Sequence, residues 1–196
     1  MGRSDEELIE ACRQGEASAF DVLVGRWEDK IRGACWRVLG SEDEARDVAQ
    51  EAFLKAYRGL SGFKQEARFS SWLYQIAVNL CRDRLRRRRT RAAVSLDELE
   101  SSGSVLVEGG PGVQDALIRE DLASAVRRAI SALSPEQREV VILKEYQGLT
   151  FLEIAQALDV PVSTVKTRLY RGLVQLRLRL ETAGVRGASP VPVPAR

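Results

Sequence analysis

The chain contains no histidine, and its three cysteines, Cys12, Cys35 and Cys81, lie far apart with no C-x-x-C pair. A Cys/His zinc centre is therefore not expected. Scattered thiols in odd number fit a reducing compartment better than a disulfide framework. No stretch approaches the roughly 20 apolar residues that span a bilayer, and the opening residues MGRSDEELIE lack an apolar signal core. The expected location is the cytoplasm. Convincing strand alternation is missing as well. There is no set of metal-binding carboxylates on a common face, and no Ser or Tyr nucleophile with an evident partner base. The expectation is a protein that is not an enzyme, without catalytic residues, cofactor, metal or small-molecule substrate.

What is present is apolar content of 44% over 196 residues, enough for one ordinary domain or two small helical ones. The formal charge of +2 hides strong segregation. Residues 82–91 (RDRLRRRRTR) carry seven Arg and one Asp, whereas residues 92–121 carry seven acids and one Arg.

Helix signals run nearly end to end, which predicts an all-α fold. Ser4 with Glu7, Ser41 with Glu44, and Thr150 with Glu153 read as capping boxes. The tetrapeptide 134–137 (SPEQ) supplies an N-cap, a first-position proline and a capping glutamine. One stripe joins Phe20, Leu23, Val24, Trp27, Ile31, Ala34 and Val38. A second joins Ala45, Val48, Ala49, Ala52, Phe53, Ala56 and Tyr57, and a third Trp72, Leu73, Ile76, Ala77 and Leu80. A helix after the linker carries Leu117, Leu122, Val126 and Ile130. Residues 93–113 break the periodicity with four Gly, one Pro and a cluster of acids, and read as a flexible linker. The expected organisation is two small helical domains, 1–92 and 114–183, a linker at 93–113, and a disordered Pro/Gly-rich tail at 184–196.

Two surfaces carry the functional signal. In the last helix, expected to be capped by Ser163, Val165, Leu169, Leu173, Leu176 and Leu180 share one arc. Thr164, Thr167, Arg168, Arg171 and Gln175 share another. Cations mixed with hydroxyl and amide groups can grip phosphates and read base edges. A short capped helix, a turn and this helix make a helix-turn-helix. A solvated basic face on an ordinary helix pair is the plain alternative, but residues 161–180 hold five cations and no acid. The second surface joins Phe63 and Phe69 to Gln75, Asn79, Arg82 and Arg86, a set of rings, amides and cations suited to unpaired bases.

The strings DEARDVAQEAFLKAYRGL (43–60) and FKQEARFSSWLYQIAVNLCRDRLRRRR (63–89) resemble region 2 of extracytoplasmic-function sigma factors of the sigma-70 family. The string LSPEQREVVILKEYQGLTFLEIAQALDVPVSTVKTRLYRGLVQLR (133–177) resembles their region 4. The resemblance covers about three quarters of the chain and implies a sigma factor that binds core RNA polymerase and directs promoter-specific initiation. It implies docking on the β′ clamp helices through Asp47, Gln50, Glu51, Leu54 and Arg58, with a second contact to the β flap. Recognition of the −10 element would fall to Phe63, Lys64, Phe69, Ser70, Gln75, Asn79, Arg82 and Arg86. The −35 element would fall to Ser163, Thr164, Lys166, Thr167, Arg168 and Arg171. The family also implies promoter DNA and an anti-sigma factor as partners, and a monomer when free of polymerase. The long Arg run and the acidic linker depart from many relatives. The linker is expected either to lie in a basic channel of polymerase or to shield the Arg run. A conventional helix-turn-helix regulator that acts without polymerase is the alternative.

Overall fold

The computed structural model describes residues 2–64, 68–94 and 113–185. Among them every regular element is helical: α1 (Asp5–Arg13), α2 (Ser18–Leu39), α3 (Glu42–Gly59), a 3₁₀ turn (Leu60–Gly62), α4 (Phe69–Val94), α5 (Val113–Ser131), α6 (Pro135–Val141), a π turn (Ile142–Tyr146), α7 (Phe151–Leu158) and α8 (Val162–Thr182). The expected all-α class is what the chain adopts. Linker residues 95–112, and the tail from 186, lie outside the described residues.

Local chemistry accounts for most boundaries. Ser4 and Glu7 form a reciprocal box, as do Thr150 and Glu153. Gly40, at φ 74°, ends α2 by donating its N–H to the carbonyl of Trp36 at 2.7 Å. Three expected caps are corrected. Gln137 donates its backbone N–H to the Ser134 hydroxyl, but its side chain completes no box. The hydroxyl of Ser41 accepts from the Glu44 N–H, but the carboxylate of Glu44 is engaged by Arg88 and does not complete a box. The last helix starts at Val162, with Pro161 rather than Ser163 at its N-cap. The fixed φ of proline sets the chain for the first turn without a side-chain cap. Leu122, expected inside, is 44% exposed; small Ala125 and Ala129 face inward beside Ile130, so α5 packs on the neighbouring row of its wheel.

Helices α1 to α4 enclose one apolar centre around Leu8, Ile9, Leu23, Ile31, Val48, Ala52 and Leu73. In the second segment α6, α7 and α8 close over Val140, Val141, Ile154, Leu158, Val165 and Leu169. Gly172 lets α8 approach α6, since a Cβ there would meet Val141 Cγ2 at 3.0 Å. The two segments do not stand apart. The π turn seats Ile142 and Leu143 against α2 and α4, so the buried residues of both form one continuous cluster.

Candidate nucleic-acid and partner interfaces

The helix-turn-helix is built from α7, a three-residue turn and α8. Asp159 makes the turn in the left-handed region at φ 53°, and its N–H bonds back to the carbonyl of Ala155. Val165 and Leu169 bury one side of α8, which turns Ser163, Lys166, Thr167 and Arg171 to solvent, with Thr164 and Arg168 half-buried. The six residues expected to read DNA therefore share an accessible side. Thr167 Oγ1 donates to the Ser163 carbonyl at 2.9 Å, which occupies its hydroxyl proton. Lys166 lies over the ring of Phe151, with Nζ 5.6 Å from the centroid.

The α4 surface differs from its expectation. Phe63 and Phe69 are buried at 7% and 2% exposure and pack with Trp72, the Phe63 and Trp72 centroids 4.7 Å apart. They are core rings rather than stacking platforms, because Arg13 pins the loop by donating to the Leu60 and Phe63 carbonyls. Lys64 stays exposed and Ser70 half-exposed; residues 65–67 lie outside the described residues. Gln75, half-buried, and exposed Asn79 share the row with Arg82. The amide oxygen of Asn79 accepts from Arg82 Nη1 at 3.3 Å. Arg86 is exposed and paired with Asp83 at 2.9 Å. Arg88, within the arginine run, donates to Glu44 and to the Leu39 carbonyl, tying α4 to the α2–α3 corner.

Arg82 is the most committed of these cations. Its guanidinium forks onto Glu139 of α6, Nε to Oε1 at 2.8 Å and Nη2 to Oε2 at 2.6 Å, and the carboxylate side chain is only 1% exposed. These hydrogen bonds raise the Arg82 pKa further. Nearby Glu136 is held below the usual carboxylate range by its own backbone N–H and by Ser134, with Arg168 and Arg82 adding attraction. Cations from both expected DNA surfaces thus converge on two acids of α6.

Other contacts continue this seam. Tyr74 Oη donates to Gln147 Oε1 at 2.8 Å, Arg68 pairs with Glu153 at 2.8 Å, and Arg37 stacks over Tyr146 at 4.3 Å. Arg138 donates to the Val38 carbonyl at 3.0 Å and to the carbonyls of Ile130, Ser131 and Leu133, so it binds the end of α2 to the α5–α6 corner. Nothing in the sequence pattern singled out Arg138 or Glu139, because their partners lie in carbonyls and in a distant helix.

A groove of about 510 Å³ runs between α2 and α3. Phe20, Val24, Ala49, Phe53, Leu54 and Tyr57 form its apolar part, and Asp21, Glu28, Arg32, Arg46 and Gln50 its polar part. Leu54 is 56% exposed and stands outside the buried stripe of α3. Tyr57, expected in the core, is 50% exposed; it stands edge-on to Phe20 at 5.0 Å and leaves its hydroxyl to water. Asp47, Gln50 and Arg58 are exposed, and Glu51 pairs with Lys55 at 3.2 Å. Among the described residues no cluster of His, Cys, Asp and Glu is arranged to hold a metal, and no helix is long and apolar enough to cross a membrane.

Two helical segments, the second bearing a helix-turn-helix with an open cationic side, define a DNA-reading protein of bipartite type. The first segment matches the family model "Sigma-70 region 2" over residues 23–91, and the second matches "Sigma-70, region 4" over 123–176. The chain is 36% identical over 179 residues to the ECF RNA polymerase sigma factor SigW of Bacillus subtilis, covering 89% of this chain and 96% of that one. It is 35% identical over 174 residues to the ECF RNA polymerase sigma-E factor of Escherichia coli K12, covering 86% and 90%. The chain belongs to the extracytoplasmic-function sigma factors of the sigma-70 family. Its function is that of a sigma factor, directing promoter-specific transcription initiation. The fold is shared with RpoE of Bartonella quintana, solved with the anti-sigma factor NepR (TM-score 0.67, 22% identity, covering 83% of this chain and 96% of that one). It is shared also with CnrH, solved with the cytosolic domain of CnrY (TM-score 0.69, 24% identity, 92% and 99%).

Proposed function

We propose that the α2/α3 groove is the dock for core RNA polymerase, on the β′ clamp helices, and that docking parts the two segments so that each reads its own promoter element. The open apolar groove carries this reading. Leu54, Tyr57 and Phe53 offer a hydrophobic centre, and Asp47, Gln50, Glu51 and Arg58 a polar border, the anatomy of a protein interface. In the seam, by contrast, Arg82 is spent on Glu139 and is not available to DNA.

On this reading 1–92 and 114–183 act as two units joined by 93–113. The second unit makes its own contact to the β flap. Lys64, Ser70, Gln75, Asn79, Arg82 and Arg86 serve the −10 element, with Phe63 and Phe69 shaping the loop from beneath. Ser163, Thr164, Lys166, Thr167, Arg168 and Arg171 serve the −35 element. Two modest DNA sites held on one polymerase act together by effective concentration. Phosphate contacts from the arginines make promoter binding steeply salt-dependent. An anti-sigma factor is the natural inhibitor, the free chain is a cytoplasmic monomer, and its role is recognition without catalysis.

Run-off transcription with purified core polymerase tests this. Promoter-specific transcripts are expected only with the chain present, and are expected to be lost for Asp47→Ala/Gln50→Ala. Sequence-specific DNA binding by the chain alone, with no transcripts, would instead indicate a conventional helix-turn-helix regulator.

A further inference from the structure

Cys35 of α2 and Cys81 of α4 are each 1% exposed and both are free thiols. They sit together. Both line a void of about 10 Å³ whose near wall is Ala34, Val38, Tyr74, Ala77 and Val78, and the presence of Cys35 raises the pKa of Cys81. The far wall is Glu139, Ile142 and Leu143 of the second segment. A void of that size holds at most one water, so no hydroperoxide enters while the segments are closed.

We infer that Cys35 and Cys81 are a redox pair that forms an α2–α4 disulfide when the second segment lifts away. This rests on the proposed parting of the segments. The reaction needs a hydroperoxide, which is supplied from solution. One thiolate attacks the peroxide oxygen, giving a sulfenic acid and releasing water (or an alcohol from an organic peroxide). The second thiolate attacks the sulfenic sulfur, forming the S–S bond and releasing water. With hydrogen peroxide, two thiols and one peroxide yield one disulfide and two waters. Both sulfurs are oxidised and the peroxide is reduced.

The closed state opposes each requirement of this chemistry. Reaction needs thiolate, and the Cys81 thiol is pushed up by the adjacent Cys35, by burial and by the nearby charge of Glu139. Parting removes Glu139, Ile142 and Leu143 in one movement, so the thiols gain solvent and lose the adjacent carboxylate together. The disulfide then ties the helix that lines the polymerase groove to the helix that carries the arginine run. Cys12 of α1 lies outside this void and serves as the background to remove.

The test uses the full chain in a Cys12→Ser background, treated with hydrogen peroxide and quenched with an alkylating agent. Mass spectrometry then follows the linked Cys35 and Cys81 peptides, while X-ray scattering follows compactness. Arg82→Ala, which breaks the seam, is expected to speed crosslinking by about thirtyfold, the effect of removing one partner of a buried pair discounted for the more than one-third exposure of Arg82. Saturating core polymerase is the second route to the parted state and is expected to accelerate the reaction likewise. Equal rates in closed and expanded chains overturn the proposal, as does an expanded chain or polymerase complex that yields no linked peptide. An Arg82→Ala chain that stays compact by scattering counts against the parting of the segments, and the polymerase complex then decides the redox pair.

Discussion

The first segment has two contrasting faces. Across α2 and α3 it presents an apolar groove with exposed Leu54 and Tyr57, uncovered by the other described residues. Across α4 it is covered by α6, α7 and the π turn, and that cover joins the buried contact of Ile142 and Leu143 to polar pairs: Arg82 to Glu139, Arg68 to Glu153, Tyr74 to Gln147. Under the proposed function, the difference separates a surface that receives a partner from a surface that is released. Apolar contact is best kept for a lasting interface, whereas polar pairs regain water when parted and so cost little to break. Ser163, Lys166, Thr167 and Arg171 of α8 stay exposed in the closed chain, so under the proposed function Arg82 is the group whose exchange of partners would couple docking to promoter recognition.

Disrupting the groove should produce the largest effect. Leu54→Asp puts a charge at the apolar centre and is expected to weaken polymerase binding about a hundredfold, near 3 kcal/mol for a central interface residue. The side chain is already exposed, so the melting temperature should not move. Interferometry on immobilised core polymerase, read beside calorimetry, checks both. A fall in affinity below about threefold would remove the groove from the dock.

The seam comes next. Removing one partner of a buried pair costs about 3–5 kcal/mol, but Arg82 is more than a third exposed, so about 2 kcal/mol of closed-state stability is expected to go in Arg82→Ala. Scattering should then show a larger radius of gyration. The double variant Arg82→Leu/Glu139→Leu leaves no orphaned charge and is expected to restore compactness. It sharpens the comparison, because it closes the seam while withholding the cation from DNA.

Gly172→Val addresses the second segment's own core. The added atoms meet Val141 and Gln137 across the α6–α8 contact, and overpacking of this kind costs about 1–3 kcal/mol. Gly172→Ala combines a smaller clash with a gain of up to about 1 kcal/mol in helix propensity and should be near neutral. Thermal melts distinguish the two. Neither variant should alter groove binding, since neither touches α2 or α3.

Much of this was legible in the chain because helices announce themselves locally. The capping pairs at Ser4 and Thr150 and the three inward stripes, Tyr57 excepted, require only neighbours along the helix, and they appear as expected. Tyr57 was misjudged because its periodicity places it on the core face, while the covering helix, near Phe20, begins too late to bury it. Phe63 and Phe69 look like free rings in a polar loop, and only the reach of Arg13 from α1 shows them folded inward. Arg82, Arg88 and Arg138 resemble any solvated cation in sequence, since their partners lie 57, 44 and 100 residues away.

Acid provides the gentlest way to loosen the seam. The carboxylate of Glu153 is held below its ordinary value of 4.5 although burial works against it, because the Thr150 N–H and hydroxyl and the Arg68 guanidinium all favour its charged form. Glu136 is lowered in the same direction. A depressed carboxylate binds fewer protons folded than unfolded, so its stabilisation is complete above the ordinary value and is lost as pH falls through the lower folded one. Compactness is therefore expected to hold at neutral pH and to decline below 4.5. Arg68→Ala isolates the part that belongs to the seam. Arg68 is 75% exposed, so its contribution should be small and largely screened by salt, whereas the Thr150 cap lies within the second segment and persists. Scattering against pH, at low and high salt, should show the variant losing less compactness on acidification than the parent at low salt and the same amount at high salt. A parent whose compactness ignores both pH and salt would mean that the seam is held by Ile142 and Leu143 alone, and the contrast between an apolar dock and a polar, releasable cover would fail.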